Sequence, residues 1–193
     1  ISVDDHICEP PDLFDRQLKG DALKSAPKLL TDRNGKNYWS YQGRQRPGIG
    51  LNAVVGRPLE EYGMEPNALE QMRKGCYDVH ARIDDMNVNG IAASLNFGNS
   101  IGFDNMTFHQ APDKDLALVH LRAWNDWLFE EWYAKHPERI VPLGITHLTD
   151  PVKGAEEIRR NARRGFKAVT MPEQPHNVGL PPVFDTAHWD PII

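Results

Sequence analysis

Between Ile91 and Met171 the chain alternates apolar runs with amphipathic stretches, and this rhythm constrains the fold more than any other feature. Ile91 to Phe97 is apolar except for Ser94 and Asn96, Arg139 to Thr146 is a second such run, and Phe166 to Met171 is a third. Their length and flanks fit buried parallel strands. Pro112 and Asp113 open a long helix with an apolar stripe at Ala117, Leu121, Trp124, Leu128 and Trp132, and Pro137 closes it. Asp150 and Pro151 supply an N-cap followed by proline at the first helical position. Val152, Ala155, Ile158 and Ala162 are the expected buried face, and Gly165 ends the helix. Strand, helix, strand, helix, strand at this spacing predicts βαβ units in a parallel sheet with right-handed crossovers.

A fourth strand is expected near residues 1–5, where Ile1 to Val3 leads into Asp4, Asp5 and His6, and Glu9, Pro10 and Pro11 end regular structure. Lys28 to Leu30 and Asn37 to Tyr41 flank Asp32, Arg33, Asn34 and Gly35, which reads as a β-hairpin; Gly43 to Gly50 reads as loop. From Pro66 the pattern turns helical, with Val79, Ile83 and Met86 on one face and Gly90 at the C-cap. The pattern gives an α/β chain of four strands, in one domain over 1–193, with a hairpin-containing insertion at about 15–65.

The 193 residues suffice for one domain and fall short of the ~250 of a complete (β/α)8 barrel. Hydrophobic residues are 40% and charged residues 25%, so a folded globular chain is expected. The net charge is −5, and the four arginines at 159, 160, 163 and 164 read as a solvated helix face, so nucleic acid is not an expected partner. Two cysteines, Cys8 and Cys76, make no disulfide framework and point to a reducing, cytoplasmic setting. No apolar stretch reaches the ~18 residues of a membrane span, so no membrane partner is expected. Ile1 is not a methionine, and the chain reads as a trimmed or partial product.

In parallel α/β folds the site lies at the C-terminal ends of the strands. The polar residues there are Asp4, His6 and Glu9, then Asn96, then Thr146 and His147, then Thr170. Alternate residues of a strand share a face, so Asp4, His6 and Cys8 point together while Asp5 points away. Imidazole and carboxylate suit zinc or manganese. The same triplet also reads as hydrogen-bonded groups in a strand-end turn, and His147 as a polar residue opening a βα loop. Asn96 and Thr170 read first as structural, Cys8 as a small buried side chain, and Tyr38, Trp39 and Tyr41 as cross-strand packing.

The order of these pieces carries a resemblance. Val3 to Phe14 (with Asp4, His6, Glu9 and Pro10), Arg82 to Met86 with Gly90, Trp124 to Trp127, His136 to Arg139, Pro142 to Gly144, Asp150 with Pro151, Met171 with Pro172, and His188 to Pro191 resemble the amidohydrolase-related family. The resembling branch is that of the aminocarboxymuconate-semialdehyde and resorcylate decarboxylases. The resemblance covers nearly the whole chain outside the insertion.

It implies a (β/α)8 barrel of the metal-dependent hydrolase type, present here as roughly its first four βα units, with one divalent metal, zinc or manganese. The family's first strand carries an H-x-H or E-x-H pair; Asp4 and His6 match the second form with a shorter carboxylate, while the other register sets Cys8 where histidine stands. The remaining ligands are expected beyond Ile193, and the 193 residues alone are expected to be inactive. The implied activity is non-oxidative decarboxylation of a small aromatic or unsaturated carboxylic acid. Glu9, Asn96 and Thr170 are the expected substrate contacts and His147 a catalytic residue. A metal-dependent hydrolase of an ester, lactone or amide is the alternative, and a catalytically silent barrel used as a binding module is the second. Open sheet edges make a homodimer the expected assembly.

Overall fold

The computed structural model describes residues 1–50, 53–63, 66–103 and 105–193. Strand β1 (Ser2–Ile7) is followed by two short helices, α1 (Leu13–Gln17) and α2 (Gly20–Lys24). Strands β2 (Lys28–Thr31), β3 (Asn37–Tyr41) and β4 (Arg44–Pro47) form a separate antiparallel sheet. Then come α3 (Val79–Val88), β5 (Ser94–Gly98), α4 (Met106–His109), α5 (Lys114–Trp127), β6 (Ile140–Gly144), α6 (Pro151–Arg164), β7 (Ala168–Val169) and α7 (Thr186–Trp189).

The four strands anticipated from the βαβ rhythm form one parallel sheet in the order β1, β5, β6, β7. Their bounds shift: β1 runs on to Ile7, β5 starts only at Ser94, and β7 is two residues long. The helices start where their caps lie. Asp78, Asp113 and Asp150 each accept the backbone N–H of the third residue on, and Gly165 leaves α6 with φ +117, open chiefly to glycine. The α5 stripe is buried as expected: Ala117, Leu121, Trp124 and Leu128 are fully covered, and Trp132 lies at the π-helical turn (Leu128–Trp132) that extends the helix.

Two expectations are corrected. Gly43 to Gly50 is not all loop, because β4 pairs with β3 through a tight turn at Gln42 and Gly43, with φ +44 and +79. Arg44, Gln45 and Arg46 can be polar there since β4 is an edge strand. The buried face of α6 is Gly154, Ala155, Glu157 and Asn161, whereas Val152 and Ala162 are exposed. Polar burial is tolerated because Glu157 is saturated. It binds Arg160 at 2.7 Å, Asn125 at 2.9 Å, Asn161 at 3.0 Å and Arg122 at 3.1 Å. Arg160 and Arg164 continue the network to Asp126, so two of the four arginines are fixed by ion pairs.

The insertion sheet docks on the main body through buried aromatics. Trp39 and Tyr41 are covered, and Tyr41 Oη donates to His120 Nδ1 on α5 at 2.8 Å. His120 Nε2 lies 2.8 Å from the Ala22 carbonyl, an acceptor, so Nε2 carries the proton and Nδ1 is free to accept. Burial holds the His120 pKa below its ordinary value, which matches a neutral ring.

Candidate metal and substrate site

The β1–β5 register places Asp5 opposite Asn96 and His6 opposite Phe97, with a bulge between Ser2 and Asp5. Asp4 and His6 therefore share one face of the sheet, and Asp5 and Asn96 the other. Asp4 Oδ1 lies 3.6 Å from His6 Nε2. The carboxylate is 85% exposed and unencumbered, while the imidazole is held between two rings. Its centroid is 5.6 Å from Phe97, nearly parallel, and 5.3 Å from Phe103. His6 Nδ1 is buried and, among the described residues, has no hydrogen-bond partner.

Asp4 and His6 line a cavity of about 650 Å³ with Cys8, Cys76, Arg82 and Phe103 among its other walls. That volume suits a small organic molecule. Burial pushes the thiols of Cys8 and Cys76 up, so both are protonated and apolar in character at neutral pH. Cys8 is 4% exposed, as the small-side-chain reading anticipated.

A divalent ion is tested against these residues by their donors. His6 Nε2, beside the exposed Asp4 carboxylate, fits with it as two donors of one site. Among the described residues no group of three or more His, Cys, Asp or Glu side chains is arranged to hold an ion. The pair is therefore a partial donor set.

The other expected site residues lie elsewhere. Glu9 is 2% exposed and turned inward. Its Oε1 accepts from the Gly102 N–H at 2.9 Å and from Trp124 Nε1 at 3.3 Å, and its Oε2 from the Ser100 N–H at 3.1 Å. Burial nevertheless raises its pKa, outweighing the donors. Gly98 and Gly102 make this packing possible: a Cβ on Gly102 would sit 2.2 Å from the Trp124 ring, and one on Gly98 2.8 Å from Glu9 Oε1. Glu9 thus anchors the loop after β5. Asn96 is fully buried on the face away from His6, donating to Ser94 Oγ. Thr170 is buried and accepts from Asn105, whose side-chain oxygen takes the Thr146 N–H at 2.9 Å. This amide ties the ends of β6 and β7 together. His147 is 3% exposed, its Nε2 lies 3.1 Å from Thr149 Oγ1, and burial lowers its pKa. It is not a wall of the His6 cavity.

Of the six expected residues, the structure brings together Asp4 and His6. Arg82, Phe103 and Cys76 join them and were not anticipated as site residues. Only Arg82 stood in a segment the sequence singled out.

No protein-family model matches the chain, and no curated protein matches it by sequence. Solved structures do. An amidohydrolase from Mycobacterium avium subsp. paratuberculosis K-10 matches with a TM-score of 0.69 and 22% identity, over 99% of this chain and 54% of its own. The chain shares the amidohydrolase fold. A 5-carboxyvanillate decarboxylase from Novosphingobium aromaticivorans DSM 12444, with bound manganese and 3-methoxy-4-hydroxy-5-nitrobenzoic acid, matches at 0.55 and 20% identity, over 99% and 45%. A 2,6-dihydroxybenzoate decarboxylase complexed with 2,6-dihydroxybenzoate matches at 0.52 and 20%, over 99% and 44%. The chain spans about half the length of these structures. Among the described residues no helix is long and apolar enough to cross a membrane.

Proposed function

We propose that the protein is a metal-dependent lyase of the amidohydrolase type that decarboxylates a small aromatic or unsaturated carboxylic acid. The observation that carries this reading is the Asp4–His6 pair, 3.6 Å apart on the face of a parallel sheet and opening on a cavity of about 650 Å³. The fold shared with two aromatic-acid decarboxylases, one of them holding manganese, supports it.

Asp4 and His6 are the residues that would hold zinc or manganese, with further donors completing the sphere. When bound, the ion supplies Lewis-acid polarisation of a substrate carboxylate and a neighbouring oxygen. The chain's own groups do the rest of the work assigned here. Phe97 and Phe103 fix the plane of the His6 ring, and Phe103, 45% exposed, offers an apolar face to an aromatic substrate. Cys8 and Cys76 add buried, neutral thiols to a cavity wall that also carries Arg82. Glu9 holds the loop that carries Phe103 through the N–H groups of Ser100 and Gly102.

Hydrolysis of an ester, lactone or amide is the second reading, favoured by the match to an amidohydrolase at the highest TM-score of the three. The test, made on the full-length protein, is carbon dioxide release from hydroxybenzoates, set against hydrolysis of nitrophenyl esters and lactones, with manganese or zinc supplied. Decarboxylation that His6→Ala abolishes supports the lyase. Ester or lactone turnover without carbon dioxide release replaces it with the hydrolase.

A further inference from the structure

Among the described residues strand β1 is at the edge of its sheet, so its outward backbone groups have no strand partner there. One side chain fills that gap beside the proposed ligand. Arg82, on the second turn of α3 and 15% exposed at its side chain, donates from Nη2 to the His6 carbonyl at 2.6 Å. It donates from Nε to the Gly75 carbonyl at 2.7 Å, and its Nη1 stands 3.9 Å from Asp5 Oδ2. Asp5 is itself held by the hydroxyls of Ser2 and Ser94. The turn that Arg82 grips, Lys74–Cys76, closes back on β1 through the Cys8 N–H, which donates to the Cys76 carbonyl at 2.7 Å. Gly75 is packed so tightly that a Cβ there would lie 2.3 Å from Asp85 Oδ2.

We propose that Arg82 is a positioning residue for His6: its guanidinium acts as the missing strand partner of β1 and sets the His6 backbone, and hence its imidazole, against the cavity. This rests on the reading of Asp4 and His6 as metal donors. The planar fork of arginine is what the job needs, because three acceptors at fixed angles surround it and a lysine ammonium reaches them only as a point charge. Arg82 touches no metal donor atom. It acts on His6 through the main-chain carbonyl that it binds.

The experiment titrates manganese into full-length wild-type protein and into its His6→Ala, Arg82→Gln, Arg82→Lys and Arg82→Ala variants, following the free ion by its paramagnetic resonance signal. Amide exchange at Cys8 and Ser94 is read in parallel. Arg82→Gln is expected to weaken manganese binding by roughly tenfold to a hundredfold. It should speed Cys8 exchange while leaving Ser94, whose N–H donates to the Arg139 carbonyl, unchanged. Arg82→Lys should fall between Arg82→Gln and wild type, and methylguanidinium should restore binding to Arg82→Ala. A purely architectural arginine would lower the melting temperature without guanidinium-dependent recovery of affinity. Wild-type affinity in Arg82→Gln, with binding still lost in His6→Ala, overturns this inference alone. Equal binding by wild type and His6→Ala overturns the ligand reading first, and this inference with it.

Discussion

Replacing Glu9 by glutamine separates a loop anchor from a substrate contact. The wild-type carboxyl accepts three buried N–H donors, from Ser100, Gly102 and Trp124, at 3.1, 2.9 and 3.3 Å. Glutamine keeps the shape but turns one acceptor into a donor, so at least one buried N–H faces another N–H. Leaving a buried donor unsatisfied costs about 1–3 kcal/mol. For a chain of 193 residues each kcal/mol moves the melting temperature by about 2–4 °C. The pH dependence has a definite sign. Burial raises the folded pKa of Glu9 above its unfolded value, so its contribution is full below the unfolded pKa and declines as pH rises through the folded one. The penalty of Glu9→Gln is therefore largest in acid and shrinks toward neutral pH. Urea unfolding at pH 4.5 and 7.5, followed by tryptophan fluorescence, measures both quantities. A variant with the wild-type midpoint at both values would refute the anchoring argument.

Two further outcomes follow from the buried polar groups. His120 has a folded pKa held below 6.5, so its share of stability is complete above about pH 6.5 and is lost as pH falls below it; His120→Leu should flatten the acid side of the stability profile measured by urea unfolding. Glu157→Ala removes a fully buried carboxylate that pairs with Arg160 and Arg122, and should cost about 3–5 kcal/mol. Its exposed neighbour gives the control: Glu156→Ala should stay within about 0.5 kcal/mol of wild type in the same titration.

What was legible in the sequence was periodicity. The βαβ rhythm gave the parallel sheet and its sequential order, and the alternation of a strand gave the shared face of Asp4 and His6. Caps were equally plain, since an Asp before a helical stripe has a local job that the sequence displays. The elements that were misread all depend on partners distant in the chain. Strand β4 has no apolar alternation because neither of its faces is buried, and only its pairing with β3 reveals it. The α6 face is polar because Arg122 and Asn125, more than thirty residues earlier, satisfy Glu157. The anchoring contacts of Glu9 were not legible either, since their donors lie 91 and 93 residues on. Arg82 escaped for the same reason, its acceptor at His6 being 76 residues away.

The central claim is that Asp4 and His6 hold a divalent ion. Elemental analysis of protein equilibrated with zinc or manganese and then desalted, for wild type, Asp4→Ala and His6→Ala, tests it directly. The account predicts one ion per chain in wild-type protein whose remaining donors complete the sphere, and loss of that ion in both variants, with the unfolding midpoint unchanged in Asp4→Ala, where the side chain is exposed, and lowered in His6→Ala, where the ring packs on Phe97 and Phe103. Metal retained by both variants, or absent from wild type, would contradict it.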